Sequence, residues 1–166
     1  MPERETIERA REDAREGKAP TTQAGEFVRE EIHHIREGKH GARSPEQAIA
    51  IGLSKARRAG VKLPPPPKGK AKAKMRESAK RAVKRARAGT KRKSPTRARA
   101  VKKALKREGR KAASPQALAR HAKMALRRRT AAQRSASARK AAKTKGPRGR
   151  AAAARKAART RARHGT

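Results

Sequence analysis

The sequence predicts an all-α protein: a small helical N-terminal module of about three helices, followed by a long basic tail that is largely disordered or conditionally helical. Three observations carry this expectation. Apolar residues in the first third recur at helical spacing between clear start and stop signals. Large apolar side chains then almost vanish, leaving only Met75, Val83, Val101, Leu105, Leu118, Met124 and Leu126 beyond residue 63. Charge divides at the same place: residues 1–63 hold 13 basic and 11 acidic side chains, whereas residues 64–166 hold 38 basic and 2 acidic ones. A helical module at 1–63, a Pro-rich linker at 64–70 and a basic Ala/Lys/Arg-rich tail at 71–166 are therefore expected.

The first helix is expected from about Pro2 to Glu16, with proline allowed in the first turn, acidic residues near the start and Gly17 after the end. Its apolar face is thin, consisting of Ile7, Ala10 and Ala14. The second runs from about Thr22 to Glu37, where Ala24, Val28, Ile32 and Ile35 form a stripe with Phe27 beside it and Gly38 stops it. The third opens at Ser44-Pro45-Glu46-Gln47, a capping-box start, presents Ile49, Leu53 and Ala56 on one face and closes at Gly60. Val61 and Leu63 fold back on that helix before Pro64-Pro65-Pro66-Pro67, which cannot continue it and favours polyproline II. With so few large apolar residues the core is small and the module marginally stable.

In the tail no globular core is expected, yet Ala, Lys and Arg are strong helix formers. Punctuation marks four latent helical pieces: Met75 to Ala88 before Gly89, Pro95 to Glu108 before Gly109, Pro115 to Arg129, and Ala151 to Arg163. A Ser-Pro start recurs at Ser44-Pro45, Ser94-Pro95 and Ser114-Pro115, which is reuse of a good cap or a degenerate repeat.

Enzyme function is not expected, because no metal-binding helix motif, nucleotide loop or Ser-His-carboxylate set is recognisable. Cysteine is absent, which excludes disulfides and thiolate chemistry. His33, His34 and His40 stand near Glu30, Glu31 and Glu37, but His33 and His34 are adjacent on a helix and point apart. A solvated polar face is the expectation there, with no metal and no cofactor. The longest apolar run, Ala48 to Ile51, is far short of a membrane span, and Glu3, Glu5 and Glu8 argue against a signal or transit peptide. A cytoplasmic, nucleoid-associated location without membrane contact is expected.

Residues 17–66 contain TQAGEFVREEI, then REGKHGARS, then QAIAIGLSKARRAGVKLPPP. In this pattern the chain resembles an uncharacterised family of small, basic bacterial proteins, and the resemblance implies a bacterial source but no activity. Pro45-Glu46 stands where that family more often has Thr-Lys, which leaves the helix start intact. The tail is similar in composition to the Lys/Ala-rich tails of linker histones. Within it Pro147-Arg148-Gly149-Arg150 resembles an AT-hook core, in which glycine lies on the floor of a narrow A·T-rich minor groove and arginines run along it. Ala151 departs from that pattern, since a second proline there would hold the segment extended. The alternative is a basic turn between two helical pieces.

A formal charge of +38 on 166 residues attracts polyanions, and neutralising phosphates releases their counterions. The single aromatic, Phe27, belongs to the module, so the tail has no platform for stacking unpaired bases and duplex DNA is favoured over single-stranded RNA. The expected function is therefore a histone-like, non-enzymatic DNA-binding protein acting through the phosphate backbone in nucleoid compaction or protection. Its candidate contacts are Arg97, Arg99, Lys102 and Lys103, the run Arg127, Arg128 and Arg129, and Lys143, Lys145, Arg148, Gly149, Arg150, Arg155 and Lys156. Structured RNA, or a ribosome-associated role, is the alternative partner. Residues 17–63 could also serve as an assembly or adaptor surface, pairing with a second copy or another protein.

Overall fold

The computed structural model describes residues 2–69, 71, 73–88 and 94–164. Among these, seven α-helices follow one another: α1 (Arg4–Arg15), α2 (Pro20–Arg36), α3 (Pro45–Arg58), α4 (Ala73–Arg87), α5 (Pro95–Arg107), α6 (Pro115–Arg127) and α7 (Ala131–His164), with a 3-10 turn at Lys111–Ala113. The chain divides into two compact units, residues 1–121 and 122–166.

The all-α class holds, but the disordered tail does not. Most of the described residues between 73 and 164 are helical; α4 to α6 lie on the pieces that the punctuation marks, whereas α7 begins at Ala131, 20 residues before the expected last piece. Alanine, lysine and arginine lose little freedom in a helix, and proline at the first helical position of α5 presets the backbone there. Gly89, expected to stop α4, lies outside the described residues, as does Lys70 at the end of the linker segment. The expected third helix has the hydroxyl cap its sequence promised, Ser44 Oγ accepting from the Gln47 backbone N–H at 3.3 Å, while Gln47 Oε1 reaches one residue further back than a capping box requires and accepts from the Arg43 N–H at 2.8 Å. Ser114 caps α6 in the same way through the Ala117 N–H at 3.2 Å, whereas the Ser94 side chain makes no capping bond.

In the first unit α1, α2 and α3 enclose Ala10, Ala24, Phe27, Ala56 and Leu63, with Ile7, Leu53 and Val61 against them. The buried stripe of α3 is Ala48, Gly52 and Ala56 rather than its isoleucines, because α2 and α3 cross at close range. A Cβ on Gly52 would lie 2.7 Å from Val28 Cα and 2.9 Å from the Phe27 carbonyl oxygen. Past α3, buried Arg57 donates to the carbonyls of Leu63 (3.2 Å) and Pro64 (3.3 Å), and so fixes the chain as it enters the prolines.

A second cluster corrects the expectation that the tail has no core. Ile35, Ala42 and Ala48 of the first 63 residues pack with Ala112 and Ala113, and Ile32 lies against them. The backbone of the Lys39–Ser44 loop is stitched to the same segment: the Gly41 N–H donates to the Leu105 carbonyl at 2.9 Å and the Ala42 N–H to that of Gly109 at 3.2 Å. Arg36 Nε donates to the Ala113 carbonyl at 2.8 Å, and Arg43 pairs with Glu108 at 3.2 Å. The segment beyond α5 contributes only methyl groups and backbone to this packing, so it needs no large side chain of its own. Close backbone approach sets the contact distance.

Candidate nucleic-acid interface

The candidate contact residues fall into both units. On α5 the side chains of Arg97, Arg99, Lys102 and Lys103 are all exposed. Arg99, Lys102, Lys103 and Lys106 follow i, i+3, i+4, i+7 spacing and share one face; Arg97 lies roughly 200° around from Arg99. The second unit holds the rest: Arg127, Arg128 and Arg129 at the end of α6, and Lys143, Lys145, Arg148, Arg150, Arg155 and Lys156 along α7, all exposed.

Helix α7 has two pieces separated at Gly146, whose φ of 64° and ψ of 176° are not helical. Pro147 then starts the second piece. The Pro147–Arg150 segment is the first turn of that helix rather than an extended strand, and Arg150 Nε donates back to the Gly146 carbonyl at 3.4 Å. The break between the two pieces falls at Gly146, ahead of the segment, so Pro147–Arg150 is neither an extended strand nor a turn between them, and Gly149 is half-buried within the helix. Along the second piece Arg148, Arg155 and Arg159 fall on one stripe, while Arg150 and Arg161 fall on another roughly 200° around. Positive charge therefore surrounds the rod. The second unit contains 16 basic residues and no Asp or Glu, so no carboxylate within it can neutralise them.

Between α2 and α3 of the first unit, part of the charge is arranged in the opposite way. Glu30 and Glu31 are 5 % and 0 % exposed, and His34 is 8 % exposed, so the expected solvated polar face is instead interior. Lys55 on α3 reaches between the two carboxylates, its Nζ 3.1 Å from Glu30 Oε1 and 2.7 Å from Glu31 Oε2. His40 Nε2 lies 3.2 Å from Glu31 Oε1, and His40 Nδ1 is 3.1 Å from the Gly41 carbonyl. His34 Nε2 is 2.8 Å from Glu3 Oε1, and its Nδ1 is 3.8 Å from Glu30 Oε1. The hydrogen bonds from His34 first, and from Lys39 second, hold the Glu3 carboxyl well below its ordinary range, down to about 2. His33, by contrast, is exposed, with its Nε2 2.9 Å from Glu37 Oε1. Spacing alone offered a signal: Phe27, Glu31 and Ile35 follow i, i+4, i+8, which puts a carboxylate on the apolar face of α2.

A profile described as a family of unknown function (DUF6496) matches residues 21–70. The matched span takes in α2, α3 and the Lys39–Ser44 loop, and so includes Glu30, Glu31, His34, His40 and Lys55, whereas α5, α6 and α7 lie beyond it. No curated protein and no solved structure matches the chain. Among the described residues no helix is long and apolar enough to cross a membrane.

Proposed function

We propose that the chain is a non-enzymatic, histone-like DNA-binding protein that grips duplex DNA through its phosphates, largely without reading sequence, and compacts or protects the nucleoid of the cytoplasm. The observation that carries this reading is the second unit: helical pieces with exposed basic side chains on several faces and no Asp or Glu. A helix of that kind matches a polyanion rather than an apolar partner. Alanines between the cations keep its surface narrow, and fixed helical spacing presents charges to successive phosphates without a large ordering cost at binding. The exposed Arg99, Lys102, Lys103 and Lys106 face of α5 extends the same chemistry into the first unit.

The test is fluorescence anisotropy of the full chain on duplex DNA across a salt series, with double-stranded RNA as competitor. The affinity should fall with a log-log slope of about −0.9 per phosphate neutralised, and A·T-rich and G·C-rich duplexes should bind alike. A salt-insensitive complex would overturn the proposal. Displacement by RNA at concentrations far below those of DNA would replace it with the structured-RNA reading.

A further inference from the structure

The Glu31 carboxylate is wholly buried, and neither oxygen makes a hydrogen bond among the described residues, although Lys55 and His40 stand within ion-pair distance. Charge pairing without hydrogen-bond geometry leaves an unsatisfied anion in the interior, an arrangement that destabilises a fold unless something else completes it. Two imidazoles face this carboxylate. The partner on the far side of each ring orients it. His40 Nδ1 faces the Gly41 carbonyl, which can only accept, and Nε2 faces Glu31 Oε1, a second acceptor, so a cation between Nε2 and Oε1 would satisfy both while the Nδ1–H keeps its bond. His34 Nε2 faces the Glu3 carboxylate, and its Nδ1 turns inward, 3.8 Å from Glu30 Oε1. One donor atom from each of Glu31, His34 and His40 lies within 4.8 Å of the other two.

We propose that Glu31, His34 and His40 form a binding site for one divalent transition metal of the zinc type. Two neutral imidazoles and one carboxylate are a donor set such an ion favours, and they leave a fourth position open. Bond lengths of about 2.0–2.2 Å require neighbouring donors to sit about 3.3 Å apart. The His40 to Glu31 separation of 3.2 Å already meets this, and the remaining separations, none above 4.8 Å, contract on binding. The supporting shell is in place: Glu3 and the Gly41 carbonyl orient the two rings, and Lys55 holds Glu31 Oε2 so that Oε1 is left for the metal. Charge agrees as well. With the imidazoles bound as neutral ligands, Glu3, Glu30, Glu31 and Glu37 outnumber Lys39, Lys55 and Arg58 by one, so a cation is attracted to the cluster.

The site joins α2 to the Lys39–Ser44 loop, whose Gly41 and Ala42 N–H groups hold the segment that runs from α5 to the 3-10 turn. Metal binding therefore tightens the docking of that segment. The experiment is calorimetric titration of chelator-treated full chain with Zn²⁺, repeated on His40→Gln, Glu31→Gln and His33→Ala, with ring-nitrogen NMR of the unmutated protein during the titration. Expected are one ion per chain, affinity lost at least tenfold in the first two variants and kept in His33→Ala, and shifts confined to the rings of His34 and His40. The NMR arm needs no variant to fold. Absence of stoichiometric binding, or shifts that appear instead at His33, His121 or His164, would overturn the proposal and leave the cluster as a network of ion pairs only.

Discussion

Glu30 and Glu31 of α2 and Lys55 of α3 face one another in the interior, whereas the charges of α7 point outward into solvent. Lys55 and Arg155 are both helical cations, yet Lys55 spans two buried carboxylates while Arg155 stands exposed in a unit without a single acid. The first arrangement fixes how helices cross and contributes to folding. The second repels itself, lowers the stability of its own helix and is relieved by a polyanion. One residue type thus serves shape in one unit and attraction in the other, and the two roles separate under mutation.

Removing residues 122–166 should have the largest effect. The remaining unit keeps both apolar clusters, so its helical circular dichroism and cooperative unfolding should persist, while duplex affinity falls steeply and the salt slope shrinks in proportion to the phosphates no longer neutralised. Anisotropy at two salt concentrations measures both. Undiminished binding by residues 1–121 would place the interface on α4 or α5 instead.

Lys55→Met should produce the mirror image. It strands Glu30 and Glu31 in the interior, and breaking a buried pair destabilises by about 3–5 kcal/mol. Denaturant unfolding should show that loss, with DNA affinity of the folded fraction unchanged. An equal loss in Arg155→Ala would erase the distinction between the units.

Gly41→Ala acts on the joint between the 17–66 segment and the chain beyond it. An added Cβ would overlap the Glu108 carbonyl group and lie 2.8 Å from the Gly109 oxygen, so the loop and the α5 end must part. A destabilisation of about 1–3 kcal/mol is expected, together with faster hydrogen exchange at the Gly41 and Ala42 amides. Retained protection of those amides would show that the joint tolerates the methyl group.

Local signals in the sequence reported local structure well. Ser44, Gln47, Pro95 and Pro115 mark helix starts, and Gly17, Gly38 and Gly60 follow helix ends, because caps and breakers act within one turn. Long-range docking was not legible. Arg36 meets Ala113 and Arg43 meets Glu108 across separations of 77 and 65 residues, and no periodicity encodes such partners. Counting large side chains also hid both close-packed seams, since Gly52 and Ala113 contribute by being small. The cluster around Glu31 escaped for a related reason: polarity suggested solvent, while position on the face of Phe27 and Ile35 decided burial.

The smallest expected effect concerns Arg148 and Arg150, and it sharpens what outward charge means. An arginine pair lying extended in a minor groove would sense groove width, so replacing both with alanine would weaken A·T-rich duplex more than G·C-rich duplex. In the structure the two residues sit on the first turn of a helix after Gly146, on opposite sides of the rod, which is poor geometry for entering one groove together. They are 2 among 16 basic residues of their unit, so a sequence-independent attraction dominates them. Arg148→Ala with Arg150→Ala should therefore reduce affinity equally on both duplexes and flatten the salt slope by about two phosphates' worth. Replacing Ala151 with proline should not create A·T preference, because Pro at the fifth position of the second helical piece disrupts its first turns without making a groove-lying strand. Several-fold A·T discrimination in the unmutated protein that vanishes in the double variant would show that the turn unwinds on DNA and that these two charges read the groove.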